Sequence, residues 1–300
     1  MRHSKPRCGV YNSCVNTEVV PGRLPLFVLI SGLLLAPVLT PTLAIAQEPD
    51  QTHPFLTDRF QLAIGAFARQ QGFKIAADGT VSEEEIDFDE TLGVDDDDIS
   101  GALTFRWKFG EKWSVWGQYW KVNANGGAVL TEDVKFEDLV FQQGSTVAAG
   151  VHNKVARVFF GRKFSEGPSH EFGLGVGFHW LKIGAYIEGE ALINDVPSGF
   201  QRGDVDASAP MPNIGGWYSY SPSKRWLLEA RLDWLDVSVG DYSGGIWNSS
   251  VGVQFQAFKH LGITLNYNYF SLNADVDSDD WSGGAELKYR GPFLALTTNW

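Results

Sequence analysis

The stretch Glu171-Phe-Gly-Leu-Gly-Val-Gly-Phe-His-Trp180 alternates without a break. Phe172, Leu174, Val176, Phe178 and Trp180 share one face of an extended chain, while Glu171, Gly173, Gly175, Gly177 and His179 share the other. A period of two marks a β-strand, because successive side chains point to opposite faces. The greasy face also has the length a tilted strand needs to cross the hydrocarbon core of a bilayer, about 9–11 residues.

The same alternation recurs on both sides of this stretch. Upstream it places Phe60, Leu62, Ile64 and Ala66 together, then Leu103, Phe105, Trp107 and Phe109. Downstream it gives Trp226, Leu228, Ala230, Leu232 and Trp234, then Trp247, Val251, Val253, Phe255 and Ala257, then Ile263, Leu265, Tyr267 and Tyr269. Tight connections near Gly110-Glu111-Lys112, Ser165 to Ser169, Ser221 to Lys224 and Lys259-His260 alternate with long or acidic ones, the longest at 123–145 and 191–210. Alternation alone also fits a soluble β-sandwich, but short turns at one rim and long loops at the other are the habit of transmembrane barrels.

Strands are expected near 59–75, 84–109, 113–122, 146–164, 170–190, 212–221, 225–240, 245–258, 261–274 and 280–300. The expected fold is therefore all-β: a closed antiparallel transmembrane β-barrel of ten strands, with eight or twelve as alternatives. The second segment is long enough for two strands, and Gly291-Pro292 could turn a hairpin in the last. Either split alone gives an odd count, so bulges or kinks are expected at both places.

The first 46 residues read differently. Arg2, Lys5, Arg7 and Arg23 precede an apolar run from Leu24 to about Leu39, and Ala44-Ile45-Ala46 offers a small-x-small cleavage pattern. Residues 1–46 are expected to be a removed export signal, 47–58 a short segment without evident structure, and 59–300 the barrel. A retained helical anchor is disfavoured by Pro25, Pro37 and Pro41, and a lipoprotein by the lack of Cys at the cleavage point. Both cysteines, Cys8 and Cys14, fall in the leader, so the mature chain has no disulfide or thiol chemistry. The net charge of −12 argues against a nucleic-acid partner, which needs a basic surface.

At the other end, Leu294, Leu296, Thr298 and Trp300 alternate and the chain closes on an aromatic residue. This resembles the terminal-strand signal of bacterial outer-membrane barrels, in which Phe is the usual last residue. With the Gly291-Pro292 step and the Pro210-Met-Pro-Asn-Ile-Gly215 strand entry, the mature chain resembles the small proteobacterial outer-membrane β-barrel proteins, whose members are largely uncharacterised. The resemblance implies a cell outer-membrane location, contact with outer-membrane lipid and lipopolysaccharide, and recognition by the barrel-assembly machinery through Leu294, Leu296 and Trp300. It implies no activity. All 11 tryptophans follow the leader; Trp113, Trp226, Trp281 and Trp300 near strand ends fit aromatic girdles, with ordinary core aromatics as the alternative.

Candidate chemistry is sparse. The acidic run from Ser82 to Glu90 is followed by Asp95, Asp96, Asp97 and Asp98, which could hold a hard divalent cation but lack EF-hand spacing. A solvated acidic rim explains them more simply. Only His53, His152, His170, His179 and His260 follow the leader, and no Asp-x-His or Ser-His-acid grouping can be placed at one rim. No cofactor is expected.

Arg69, Arg106, Lys108, Glu171, Glu229, Arg231, Asp233, Glu286, Lys288 and Arg290 all face inward if the alternation holds. Buried charges persist when paired, so both signs in a narrow lumen imply ion-pair crosslinks. A water-wide pore needs roughly 16 strands. The sequence therefore points to a non-enzymatic barrel, plugged by its own side chains, acting through its loops or as an envelope component. A small-solute channel, a rim hydrolase or lipid-modifying enzyme, and a soluble exported β-domain are the competing readings.

Overall fold

The structure is a computed structural model that describes residues 52–77, 86–95, 97–136, 138–194, 196–239, 242–277 and 282–300. A four-residue helix, α1 (Pro54–Thr57), leads into β1 (Phe60–Ala77), β2 (Ile86–Asp87), β3 (Asp97–Phe109), β4 (Trp113–Val129), β5 (Val134–Phe136) and β6 (Leu139–Phe141). There follow β7 (Thr146–Gly167), β8 (His170–Ile193), β9 (Val196–Ser223), β10 (Trp226–Val239), β11 (Tyr242–Gln256), β12 (Leu261–Asp277) and β13 (Ser282–Asn299).

Ten of these strands close into an antiparallel ring. Each long strand pairs with its neighbour along the chain, and β1 pairs with β13, starting at Gln61 opposite Asn299, so the ring closes on itself; above it β9 from Val196 to Asn213 pairs with β8 alone. The lower rim carries the ends of the ring strands near Phe60 and Trp300 together with four tight turns; the upper end carries the two long connections, β1 to β3 and β4 to β7, which hold β2, β5 and β6, and the end of the β8–β9 hairpin. The exceptions to the ring are β2, paired to β1, and the β5–β6 hairpin, which attaches to the top of β8.

Several expected boundaries are corrected. The 84–109 segment is not one bulged strand: β3 starts at Asp97, and the chain before it turns inward to bury Phe88, Leu92 and Val94. The expected loop at 191–210 is instead the top of a β8–β9 hairpin paired as far as Ile193 opposite Val196. From 201 to 208 it carries no large apolar alternation: Arg202, Asp204, Asp206 and Ser208 are exposed, and the residues between them, Gly203, Val205 and Ala207, are small. Much of 123–145 is likewise strand, in β4, β5 and β6.

Gly291-Pro292 interrupts the ladder between β1 and β13 without a bulge. Phe67 pairs with Phe293 and Gln70 with Arg290 in the same register, so no residue is inserted between them. Gly291 sits at φ 150°, and a Cβ there would lie 2.0 Å from the Ala68 carbonyl oxygen. Only glycine fits this approach.

Lower and upper halves of the wall are inverted copies of each other. In the lower half the outward face is apolar and exposed, as at Ile64, Leu103, Leu174, Val176, Leu228, Val251, Leu265, Leu294 and Leu296. A belt of this extent does not face water in a soluble monomer. In the upper half the apolar face turns inward: Leu181, Ala185 and Ile187 of β8 join Val122, Ala124, Val147, Val151 and Leu287 in one buried cluster.

Candidate functional site

The barrel interior is the candidate site, and three layers fill it. The lowest is built by the segment before β1. His53 caps α1, its Nδ1 accepting from the Phe55 backbone N–H at 3.1 Å, while its own N–H donates to Ser221 Oγ at 3.3 Å. Phe55 is 1% exposed and packs among Trp116, Phe159, Trp217 and Leu227. The Phe55 carbonyl accepts from the Arg106 guanidinium and from Lys108 Nζ at 3.1 Å, and Lys108 also reaches the Leu56 carbonyl at 2.9 Å. Asn299 Nδ2 donates to Asp58 Oδ2 at 2.5 Å. The expectation of no structure in 47–58 is thus corrected for residues 53–58: they plug the lower mouth. Burial, with the Arg106 guanidinium nearby, pushes the His53 imidazole down to about 4, so at neutral pH it is uncharged.

The middle layer is an ion-pair and amide network. Lys108 Nζ lies 2.7 Å from Glu171 Oε2, and Trp217 Nε1 donates to Glu171 Oε1 at 2.8 Å. Arg157 and Asp233, both fully buried, meet at 2.7 Å. Asp233 also accepts from Asn248 at 3.1 Å and lies 3.6 Å from Arg231 Nε. Asn248 Nδ2 is 3.2 Å from His179 Nε2, which draws His179 into the network. Glu229 and Arg231 line a polar cavity of about 70 Å³ with Gln254, Thr264 and Asn268, room for a few water molecules. Below it Gln61, Gln254, Gln256 and Asn299 form an amide chain, with contacts of 2.8, 3.5 and 2.8 Å.

An apolar cap closes the upper end. Phe73 and Phe88 meet edge to face at 5.2 Å, and Phe88 and Phe136 at 6.3 Å. Leu92, Phe141, Val147 and Ile187 are buried beside them.

Of the expected lumen charges, Arg69, Arg106, Lys108, Glu171, Glu229, Arg231 and Asp233 point inward. Glu286, Lys288 and Arg290 do not, and this is a correction. They alternate with buried Leu287 and Tyr289 and lie on the outer wall above the belt, where Lys288 pairs with Glu286 and Arg290 bonds Gln70 at 3.1 Å. The ladder stays in register across Gly291-Pro292, so the parity that puts Leu294 and Leu296 outside also puts Glu286, Lys288 and Arg290 outside. Arg157 gives no such signal, because its neighbours Val155, Ala156, Val158, Phe159 and Phe160 are apolar on both faces, which hides its parity. The space above Gly173 is taken by the Trp217 ring, 2.2 Å from where a Cβ would sit, so this glycine makes room for the indole.

Among the acidic candidates, Asp95 is exposed, while Asp96 and the side chains of Asp97 and Asp98 lie outside the described residues. Asp87 pairs with Lys74 at 3.4 Å and accepts from the Asp89 and Glu90 backbone N–H groups. No group of three metal-ligating side chains occurs among the described residues. His152 meets Asp206 at 3.1 Å on the outer wall, a pairing across 54 residues that no Asp-x-His spacing announces. Leu294 and Leu296 face outward, and Trp300 stacks on Phe60 at 5.6 Å, which in turn stacks on Trp107 at 6.2 Å. Trp113 and Trp226 are exposed beside Phe160 and Phe255 at the lower rim, whereas Trp116, Trp120 and Trp217 are interior; Trp281 is outside the described residues.

No family model matches the chain, and no curated protein matches it by sequence. Among solved structures, the outer membrane protease OmpT of Escherichia coli is similar, with a TM-score of 0.54 at 11% identity over 81% of this chain and 97% of that one. The toluene transporter TodX of P. putida gives 0.38 at 8% identity over 82% and 91%. Ail, the attachment invasion locus protein of Yersinia pestis, gives 0.26 at 12% over 79% and 98%. At these identities the first likeness shows a shared fold, and the other two superpose too loosely to add to it. The chain has the fold of an outer-membrane β-barrel.

Proposed function

We propose that this protein is a non-enzymatic barrel of the Gram-negative outer membrane, exported by its leader and closed at both mouths, which acts through its upper wall. With the lower rim in the periplasm, the upper wall of β4, β7, β8 and β9 stands outside the cell. Outer-membrane lipid and lipopolysaccharide surround the belt, and Leu294, Leu296 and Trp300 engage the barrel-assembly machinery. The carrying observation is the double closure: α1 held by Arg106, Lys108 and Ser221 below, and the Phe73, Phe88 and Phe136 cluster above. Planar-bilayer recording of the refolded protein tests it. No steady conductance is expected; stable openings that change in size or selectivity on Glu229→Gln or Arg231→Gln would establish a channel instead.

One observation favours a second reading, a rim hydrolase: His152 and Asp206 form a histidine–carboxylate pair at 3.1 Å. It would require turnover of peptide or lipid substrates that falls in His152→Ala.

A further inference from the structure

Just above the belt the outer wall carries three lysines in direct register. Lys121 of β4 is opposite Lys154 of β7, and Lys154 is opposite Lys182 of β8. All three are exposed. One step below, Tyr119, Ala156 and Trp180 form the matching row, the last outward residues of the belt on these strands. Adjacent strands stand about 4.8 Å apart, so a rigid sheet holds three ammonium stems within roughly 10 Å.

Like charges placed directly opposite destabilise a sheet. The nearby carboxylates are engaged elsewhere: Asp206 with His152 at 3.1 Å, and Glu188 and Asp204 with Arg202 at 3.0 and 2.8 Å. Among the described residues no carboxylate pairs with any of the three lysines; Lys121 Nζ lies 3.3 Å from the Asn123 side-chain amide, whose oxygen accepts from it once the amide is turned over. On β10, β11 and β12 the outward residues above the belt include Asp236, Ser243, Ser271 and Asn273, and on β13 the cations are engaged, Lys288 by Glu286 and Arg290 by Gln70, which sets the three lysines of β4, β7 and β8 apart.

We infer that the ledge binds a phosphorylated lipid headgroup of the outer leaflet, its phosphate oxygens accepting from Lys121, Lys154 and Lys182 while its apolar part lies against Trp180 and Phe178. Position selects the lipid over free phosphate: the charges sit at the edge of the belt, where an acyl-anchored molecule presents its phosphate. This inference rests on the membrane placement proposed above and gives its lipid partner an address.

Full-length protein refolded in detergent is titrated with lipid A, with dephosphorylated lipid A and with inorganic phosphate. Wild type should bind lipid A on the order of a hundredfold more tightly than K121Q/K154Q/K182Q, as expected for three lysines at an anionic surface. K288Q, which removes a charge already paired with Glu286, should bind like wild type. Equal binding by wild type and the triple variant, no preference for phosphorylated over dephosphorylated lipid A, or competition by inorganic phosphate at matched concentration would overturn the assignment. Heat-modifiable migration after insertion into phosphatidylcholine vesicles is scored in parallel for every variant. Failure of wild type there removes the membrane placement and the ledge together; insertion without phosphate dependence removes the ledge alone.

Discussion

The lower and upper halves of β8 use the same alternation to opposite ends. From Phe172 to Trp180 the large apolar residues are even-numbered and face out; from Leu181 to Ile187 they are odd-numbered and face in. The backbone does not slip between them, since β7 stays in register from Val147 opposite Gly189 to Lys163 opposite Gly173. What changes is the solvent the outer face expects. On the proposed membrane placement, hydrocarbon lies outside below Trp180, and the polar groups inside must satisfy one another; above Lys182 water lies outside, and the wall packs an ordinary apolar core. The same exchange occurs at Tyr119/Trp120 on β4 and around Arg290-Gly291-Pro292 on β13.

The contrast is broken most severely by disturbing the lower interior. Arg157→Met leaves Asp233 buried with only Asn248 and the more distant Arg231, and should cost about 3–5 kcal/mol in urea titrations of the inserted protein. Adding Asp233→Leu should recover much of that loss, because an apolar pair replaces a buried ionic one. Recovery that fails would mean that the ion pair specifies the interior rather than merely occupying it.

Matched truncations on β13 compare the two environments on one strand. Leu287→Ala empties part of the fully buried upper core and should cost about 2–5 kcal/mol. Leu294→Ala removes the same atoms from a face 56% exposed in the belt and leaves no internal cavity, so it should cost much less. Equal losses would put both positions in the same solvent.

The lower plug should respond to acid. The His53 imidazole is held down at about 4 against 6.5 when freed, so docking binds fewer protons than release. The stability it contributes is fully present above pH 6.5 and is lost as pH falls from 6.5 towards 4, by about 3 kcal/mol at the limit. Protease cleavage between residues 47 and 58 should therefore rise over that interval, and His53→Asn should flatten the response.

How much of this was legible follows from the same contrast. The belt could be read because large apolar residues on alternate positions carry the signal, as in 172–180 and 261–269. Ring closure and strand number followed from turn spacing and parity. The upper wall was largely illegible: at 201–208 small residues alternate with polar ones, so a strand resembles a loop. Glu286, Lys288 and Arg290 were assigned to the wrong face because a lumen charge and a water-facing charge look identical in a string of letters; what separates them is whether the belt has already ended. The α1 plug gave no periodic signal in four residues, and its role lies in contacts to Arg106 and Ser221, 51 and 168 positions away.

The central claim is that outer solvent changes from lipid to water near Trp180 and Lys182 while the strand continues. With Cys8 and Cys14 replaced by Ser, single cysteines at 172 through 188 can each carry a nitroxide, and collision with oxygen, concentrated in lipid, is compared with collision with a water-soluble nickel complex. Even positions from 172 to 180 should favour oxygen, even positions from 182 to 188 should favour nickel, and odd positions should be shielded from both. Oxygen preference persisting through 188, or nickel preference beginning at 172, would contradict it.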